Sequence, residues 1–238
     1  MLTDLPFGMT REIEPRNVGR GQYGRLLALY CDVLEKELGH RWRVVAWSQE
    51  SRINEDGDVR QRLAVTIEAD CDRMVFLSFT NRVNWDWPDL RHLVTVDVRT
   101  PEVHGIGGTR LVTTDHWIRV GMVKTFVHLD SPLVRGEQFT FLVDVFWPEM
   151  CLPFARGHEP DVFLVSFGEV AELISYTVVL PAEFTAKLDH VGLDPRRDSY
   201  ALVMRSGADG TVEVSLTVRD VPAYRKVGLR IDRPALGA

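Results

Sequence analysis

The spacing of apolar residues along the chain changes from a helical to an extended repeat near residue 40. Between about Gly21 and Leu38 the apolar residues recur at intervals of three and four, the spacing of one helix face. This stripe consists of Leu26, Leu29, Tyr30, Val33, Leu34 and Leu38. The pattern therefore predicts one amphipathic helix, and we expect its stripe, headed by Leu26, Tyr30 and Val33, to dock on the rest of the chain or to pair with a second copy.

After Arg41 the repeat becomes two, which is the spacing of half-buried strands. Asp56-Gly57 between two such runs is a strong hairpin signal. About a dozen strand-like runs follow one another, with turn residues and almost no helical pattern between them. A parallel sheet would need crossover helices, so the sequence predicts a mainly β protein, an antiparallel β-sandwich or flattened barrel with one N-terminal α-helix. We expect residues 1–40 to form an irregular segment plus the helix, and residues 41–238 to form the sandwich domain.

Composition and charge narrow the classes of partner. The chain is 45% hydrophobic with a net charge of −6, so bulk electrostatic binding to nucleic acid is not expected. The three cysteines are an odd number without CxxC spacing, which argues against a disulfide-stapled secreted fold. No window approaches the ~20 apolar residues of a membrane span, and no signal segment opens the sequence. We therefore expect a cytoplasmic protein without a membrane partner.

Neither of two suggestive patterns predicts a cofactor or a metal. Residues 19–24 match GxGxxG, but no convincing strand precedes them, and nucleotide binding requires the strand–turn–helix context. Four histidines recur every twelve residues, yet even spacing along separate strands does not bring ligands together in space. These histidines are His92, His104, His116 and His128. We expect no cofactor and no metal site.

Trp85 and Trp87 lie in a loop with acidic neighbours. Exposed aromatic rings in such a loop can stack on a ligand or anchor a partner protein, so both are candidates for binding. The alternative is that both rings fold back and plug the end of the sandwich, because large aromatic side chains are usually mostly buried.

Loop 146–161 holds the densest mixture of reactive side chains in the chain. Its candidate ligand or partner residues are Glu149, Cys151, His158, Glu159 and Asp161. In principle they supply a nucleophile with its base, or oxygen ligands for a cation. Their spacing matches no established catalytic motif, and several prolines make the segment a connection between strands. We assign no catalytic residue from the sequence.

The second half of the chain resembles a known type of domain. The stretches 132–137, 171–181 and 223–230 carry a PLxxGE-like turn, an apolar strand and a closing strand in that order. They are similar to the β-rich C-terminal domain of actinobacterial proteins often described as XRE-type helix-turn-helix regulators. The resemblance covers about residues 120–231 and implies a regulatory role. A single helix precedes the β region, so the three-helix DNA-reading unit is missing and DNA binding is not implied.

These observations favour a non-catalytic binding or regulatory module that contacts a protein or a ligand. Two alternatives stay open. One is a hydrolase or metal-assisted enzyme centred on loop 146–161. The other is a sandwich that binds a small molecule between its sheets, which requires a cavity of at least ~300 Å³ lined by apolar groups and a few polar ones.

Overall fold

The computed structural model describes residues 22–37, 41–102, 108–182, 184, 187–207 and 210–232. The first half of the GxGxxG pattern (residues 19–21), the end of the helical repeat at Leu38 and His104 lie outside these residues. Beside a short 3-10 turn at Arg91–Leu93, the elements are α1 (Gln22–Glu37), β1 (Trp42–Ile53), β2 (Val59–Ala69), β3 (Met74–Arg82), β4 (Thr95–Arg99), β5 (Thr113–Arg119), β6 (Met122–Leu133), β7 (Gln138–Trp147), α2 (Leu152–Ala155), β8 (Asp161–Val165), β9 (Ala171–Leu180), β10 (Lys187–Val191), β11 (Tyr200–Ser206), β12 (Val212–Val221) and β13 (Val227–Asp232).

A seven-stranded sheet forms the base of the fold, in the order β11-β12-β9-β1-β2-β7-β4. Its neighbouring strands are antiparallel except for β1 and β9, which run parallel. The sequence pattern indicates only antiparallel strands, so this pair is a difference from expectation. The physical reason is that β1 and β9 are far apart in the sequence, and no short hairpin forces them to run in opposite directions.

Two three-stranded sheets cover the inner face of the large sheet. In one, with the order β3-β6-β5, Leu77 and Val123 pack into the same core as Leu63 and Val143 of the large sheet. The other, with the order β10-β13-β8, adds its own apolar residues to a second core over β9 and β12. The small sheets thus lie over different parts of one base, and strands β3 and β8 are edge strands of their sheets.

The predicted mainly β fold with an N-terminal helix is confirmed. The hairpin at Asp56-Gly57 is also confirmed, since Gly57 has a φ of +82° between paired strands β1 and β2. A side chain at this left-handed position would also collide with the Leu152 backbone at 2.6 Å. Among the described residues, no helix is long and apolar enough to cross a membrane.

Helix α1 docks through a different face from the one that its apolar stripe predicts. Ala28 and Cys31 are buried and contact Phe76 and Phe126 on the outer side of sheet β3-β6-β5. By contrast, the predicted docking residues Leu26, Tyr30 and Val33 are about half exposed or more, at 59%, 60% and 49%. The expectation that this stripe docks on the sandwich is therefore wrong. Small side chains allow the helix axis a closer approach to the sheet, and the large ones are left outside.

Polar contacts fix the orientation of α1 on the sheet. The Lys124 ammonium, which is largely buried, donates to Asp32 at 2.8 Å and to Glu35 at 2.5 Å. Glu35 also accepts a hydrogen bond from Ser78 at 2.5 Å. The hydrogen bond from Lys124 is the main reason that the pKa of Asp32 falls to about 2. Rotating the helix to bury its apolar stripe would separate these charges and leave the largely buried Lys124 without a counterion, which is strongly destabilising.

Candidate functional site

A cleft of about 450 Å³ lies where the two small sheets face each other above the large sheet. One wall is residues 78–82 of β3, and the opposite wall is residues 161–168, which include β8. Asn84 closes one end, because its side-chain amide donates to the Val162 carbonyl at 2.9 Å. The cleft exists because two separate edge strands, and not one continuous sheet, cover this part of the base.

The floor of the cleft is polar, although it belongs to the inner face of the large sheet. Trp47, Gln49, Gln61 and Tyr176 line it. Gln49 accepts from the Trp47 indole N–H at 3.2 Å and donates to the Tyr176 hydroxyl at 3.1 Å. Burial raises the pKa of Tyr176, so its hydroxyl stays neutral. The network holds these side chains in fixed positions above the core.

Two buried polar atoms beside the cleft have no partner among the described residues. They are the Gln61 side-chain oxygen Oε1 and the Asn81 side-chain nitrogen Nδ2. Both residues line the cleft. A buried acceptor or donor without a partner costs about 1–3 kcal/mol, and native proteins keep few of them. The two atoms offer one acceptor and one donor to a bound molecule.

Asp161 is the sequence candidate that the fold brings into the cleft. Its carboxylate accepts from the Val162 backbone N–H at 2.7 Å and from the Cys151 thiol behind it. Burial raises the pKa of Asp161, and the hydrogen bonds oppose that rise only in part. Asp161 therefore provides a partly desolvated acid at one end of the site.

Trp85 and Trp87 fold back toward the core, as in the plug interpretation. The Trp87 ring is 3% exposed, and its indole N–H donates to the Pro148 carbonyl at 2.8 Å. The Trp85 ring is half-buried and donates to the Met150 carbonyl at 2.8 Å. Both rings therefore tie their loop to segment 148–150, and neither is an exposed anchor for a partner.

The structure separates the other candidates of loop 146–161. Cys151 is fully buried, while His158 and Glu159 are exposed and Glu149 is half-buried. Within the described residues, no hydrogen bond connects the His158 side chain to Cys151 or Glu149. Burial, followed by the charge of Asp161, raises the pKa of Cys151 well above its ordinary value. An activated nucleophile needs a lowered pKa and a base in contact, so this loop does not supply the chemistry of a hydrolase.

The described residues also contain no candidate metal site. No group of three or more His, Cys, Asp or Glu side chains among residues 22–37, 41–102, 108–182, 184, 187–207 and 210–232 is arranged to hold a metal ion.

A second cavity, of about 550 Å³, lies over the exposed face of β1, β2, β7 and β4. Several of its charged side chains are already paired: Arg62 pairs with Asp144 at 3.1 Å, and Arg110 pairs with Asp97. In each pair at least one of the two side chains is more than one-third exposed. Ion pairs at such exposed positions contribute little to stability. Most charged groups of this cavity already have partners, whereas Gln61 and Asn81 each bring an unpartnered atom to the cleft between the small sheets, so the cleft is the stronger candidate.

Most of the residues that define the cleft were not predicted from the sequence. Gln61 lies on the buried side of β2, between Val59 and Leu63. Gln49 lies on the buried side of β1, between Trp47 and Ser51. A polar amide on a core-facing side is the available signal, because such a group needs a buried partner. Asn81 carries no such signal, since it depends on how sheet β3-β6-β5 packs over the base.

Comparisons with known proteins identify the fold and nothing more specific. No protein-family model matches the chain, and no curated protein is similar to it. A candidate protease from Parabacteroides distasonis has a similar solved structure, with a TM-score of 0.50 and 11% identity over 79% of this chain. An M1 zinc metallopeptidase from Deinococcus radiodurans aligns over 80% of this chain with a TM-score of 0.47 and 14% identity. The chain spans only 40% and 42% of these two proteins.

Proposed function

We propose that this protein is a non-catalytic binding module whose ligand occupies the cleft between the two small sheets. The observation that carries the proposal is the pair of unpartnered buried atoms, Gln61 Oε1 and Asn81 Nδ2, beside a cavity of about 450 Å³. The volume lies within the usual range of ligand sites, about 300–1,000 Å³. A ligand with both a donor and an acceptor would satisfy the two atoms and regain the free energy that their burial costs.

The walls suggest how binding is transmitted. Residues 78–82 and 161–168 belong to different sheets, so a ligand that contacts both would restrain one sheet against the other. The resemblance of residues 120–231 to regulator-associated β domains supports a regulatory use of that restraint. The proposed function is therefore regulatory as well as ligand-binding.

Replacing Gln61 by methionine is the direct test. Methionine keeps the length of the side chain but removes the unpartnered oxygen, so the free energy of unfolding is expected to rise by up to about 1–2 kcal/mol. The same change is expected to weaken the binding of a small amide such as benzamide by about tenfold, since one hydrogen bond is lost. The two effects are measured by urea denaturation and by an NMR titration that follows the Asn81 side-chain amide.

Gln138→Met is the matched control, because Gln138 lies on an exposed part of the same large sheet. It should change neither the titration nor the unfolding free energy beyond about 0.5 kcal/mol. If benzamide leaves the Asn81 signal unmoved at any concentration, the cleft does not bind amides and the proposal is lost.

The exposed stripe of α1 supports a second proposal, that two copies of the chain associate through this helix. Leu26, Leu29, Tyr30 and Val33 are all about half exposed. Their spacing is symmetric about the midpoint between Leu29 and Tyr30, so an antiparallel pair of helices would place Leu26 against Val33 of the other copy. Such self-complementarity is what a two-fold interface requires.

The molar mass in solution tests whether two copies associate through α1. Light scattering is expected to give a molar mass approaching twice the 27.1 kDa of one chain as concentration rises. The double change Leu29→Ser and Tyr30→Ser should return the mass to 27.1 kDa, because both central apolar contacts are removed. Lys36→Ser, on the same helix but outside the stripe, should leave the dimer intact. A constant mass of 27.1 kDa for the unaltered chain would refute association.

A further inference from the structure

The two walls of the cleft are strand edges, and their backbones lack partners on the cleft side. Strand β3 pairs only with β6, and β8 pairs only with β13. Among the described residues, no backbone hydrogen bond joins residues 78–82 to residues 161–165. At the start of β8 the Val162 N–H and C=O are already bonded to the Asp161 and Asn84 side chains. Beyond that point no backbone hydrogen bond of the described residues crosses the cleft between the two edges, and unpaired strand edges of this kind are templates for adding another strand.

The two edges run in opposite directions along the cleft. The contact between Asn84, just after β3, and Val162, near the start of β8, places the end of one strand beside the beginning of the other. Five residues of each strand, 78–82 and 161–165, line the cleft. An extended segment of about five residues, roughly 17 Å long, would match this length.

We propose that the ligand of the cleft is an extended peptide segment that inserts as a strand between β3 and β8. This inference rests on the proposed function, because it names the class of ligand for the same site. The peptide would be antiparallel to one wall and parallel to the other, and would join the two small sheets through main-chain hydrogen bonds. Strand addition of this kind takes its affinity from the backbone and its specificity from alternate side chains.

The floor and the rim indicate the side chains of that peptide. The floor brings the free acceptor of Gln61 to the cleft, and the β3 wall brings the free donor of Asn81. An asparagine or glutamine complements both, since its amide carries a donor and an acceptor. Arg82 and Lys226 line the cleft and are exposed, so acidic residues on the outward side of the peptide are favoured.

The probes are acetylated and amidated hexapeptides with one Asn or Gln, with Glu, Thr and Val at the other positions. Each hexapeptide has two control peptides. One has Leu in place of the Asn or Gln, and the other has alternate backbone amides N-methylated. Hydrogen exchange of the full chain, followed by NMR, reports on the backbone amides of residues 78–82 and 161–165. Benzamide is titrated in parallel as a ligand that fills the cleft without acting as a strand.

At saturation with the unmodified peptide, we expect exchange at both edges to slow by about tenfold or more, as new main-chain hydrogen bonds form. N-methylation and the change of Asn or Gln to Leu should each weaken binding by about tenfold. If benzamide binds the cleft but the hexapeptides do not, or if N-methylation has no effect, the strand-addition model fails while the proposed function stands. If neither benzamide nor any peptide perturbs the cleft, both proposals fail.

Discussion

Replacing Trp147 by alanine is expected to lower the free energy of unfolding by about 3–5 kcal/mol, the usual range for removing a large aromatic ring from a core. Trp147 is fully buried and makes edge contacts with Trp87 and Trp117, with ring centroids 5.5 Å and 5.7 Å away. Its indole N–H has no partner among the described residues, so the loss comes from packing and not from a hydrogen bond. Because domains of this size are stable by about 5–15 kcal/mol, this single change removes a large part of the total.

Urea denaturation measures this loss, and two further variants locate its origin. Trp147→Phe keeps an aromatic ring in the cluster and should cost clearly less than alanine. Trp85→Ala, at a half-buried ring outside the cluster, is the matched control. A loss below about 1 kcal/mol for Trp147→Ala would mean that the three rings do not pack as one unit.

The same cluster shows what the sequence could predict about the core. Because large aromatic side chains are usually mostly buried, a folded-back plug was one of the two outcomes considered for Trp87, and the ring is buried. Its partners could not be predicted, because Trp87, Trp117 and Trp147 come from a loop and two strands that are paired with different neighbours. Which strands meet across the two layers depends on long-range packing that local periodicity does not contain.

Helix α1 shows a different limit. The repeat of apolar residues correctly predicts a helix over Gln22–Glu37, but not the face that docks. Periodicity identifies which residues share a face and does not identify what covers that face. Here the docked helix pairs Asp32 and Glu35 with Lys124, a lysine near the start of β6 that lies about 90 residues away along the chain.

The cleft shows both limits of the sequence: which strands meet, and what covers a given face. Asp161 was a candidate because it stands among reactive residues, yet its neighbours in the cleft come from β1, β2, β3 and β9. The parallel pairing of β1 with β9 brings Gln49 beside Tyr176 in register, and hairpin rules do not predict this pairing. The sequence therefore predicted a sandwich and left a ligand cavity as one alternative, while the position of the cleft depends on the arrangement of three sheets.

The wall of that site depends on the absence of a side chain at Gly228. Gly228 lies in β13 opposite Leu164 of β8, and a Cβ atom there would lie 1.8 Å from the Phe163 carbonyl oxygen. Because the obstacle is backbone, Gly228→Ala must push β8 away from β13. We expect a loss of about 3 kcal/mol in unfolding free energy, at the upper end for overpacking, and loss of benzamide and peptide binding.

Gly168→Ala is the control that separates the two effects, because Gly168 also lines the cleft but a Cβ atom there meets nothing closer than 4.0 Å. It should unfold at the same urea concentration as the unaltered chain. If Gly228→Ala were as stable as Gly168→Ala, β8 would have room to move without cost. A wall that moved so freely could not hold an inserted strand in register, so that result would count against the packing of β8 and against peptide binding together.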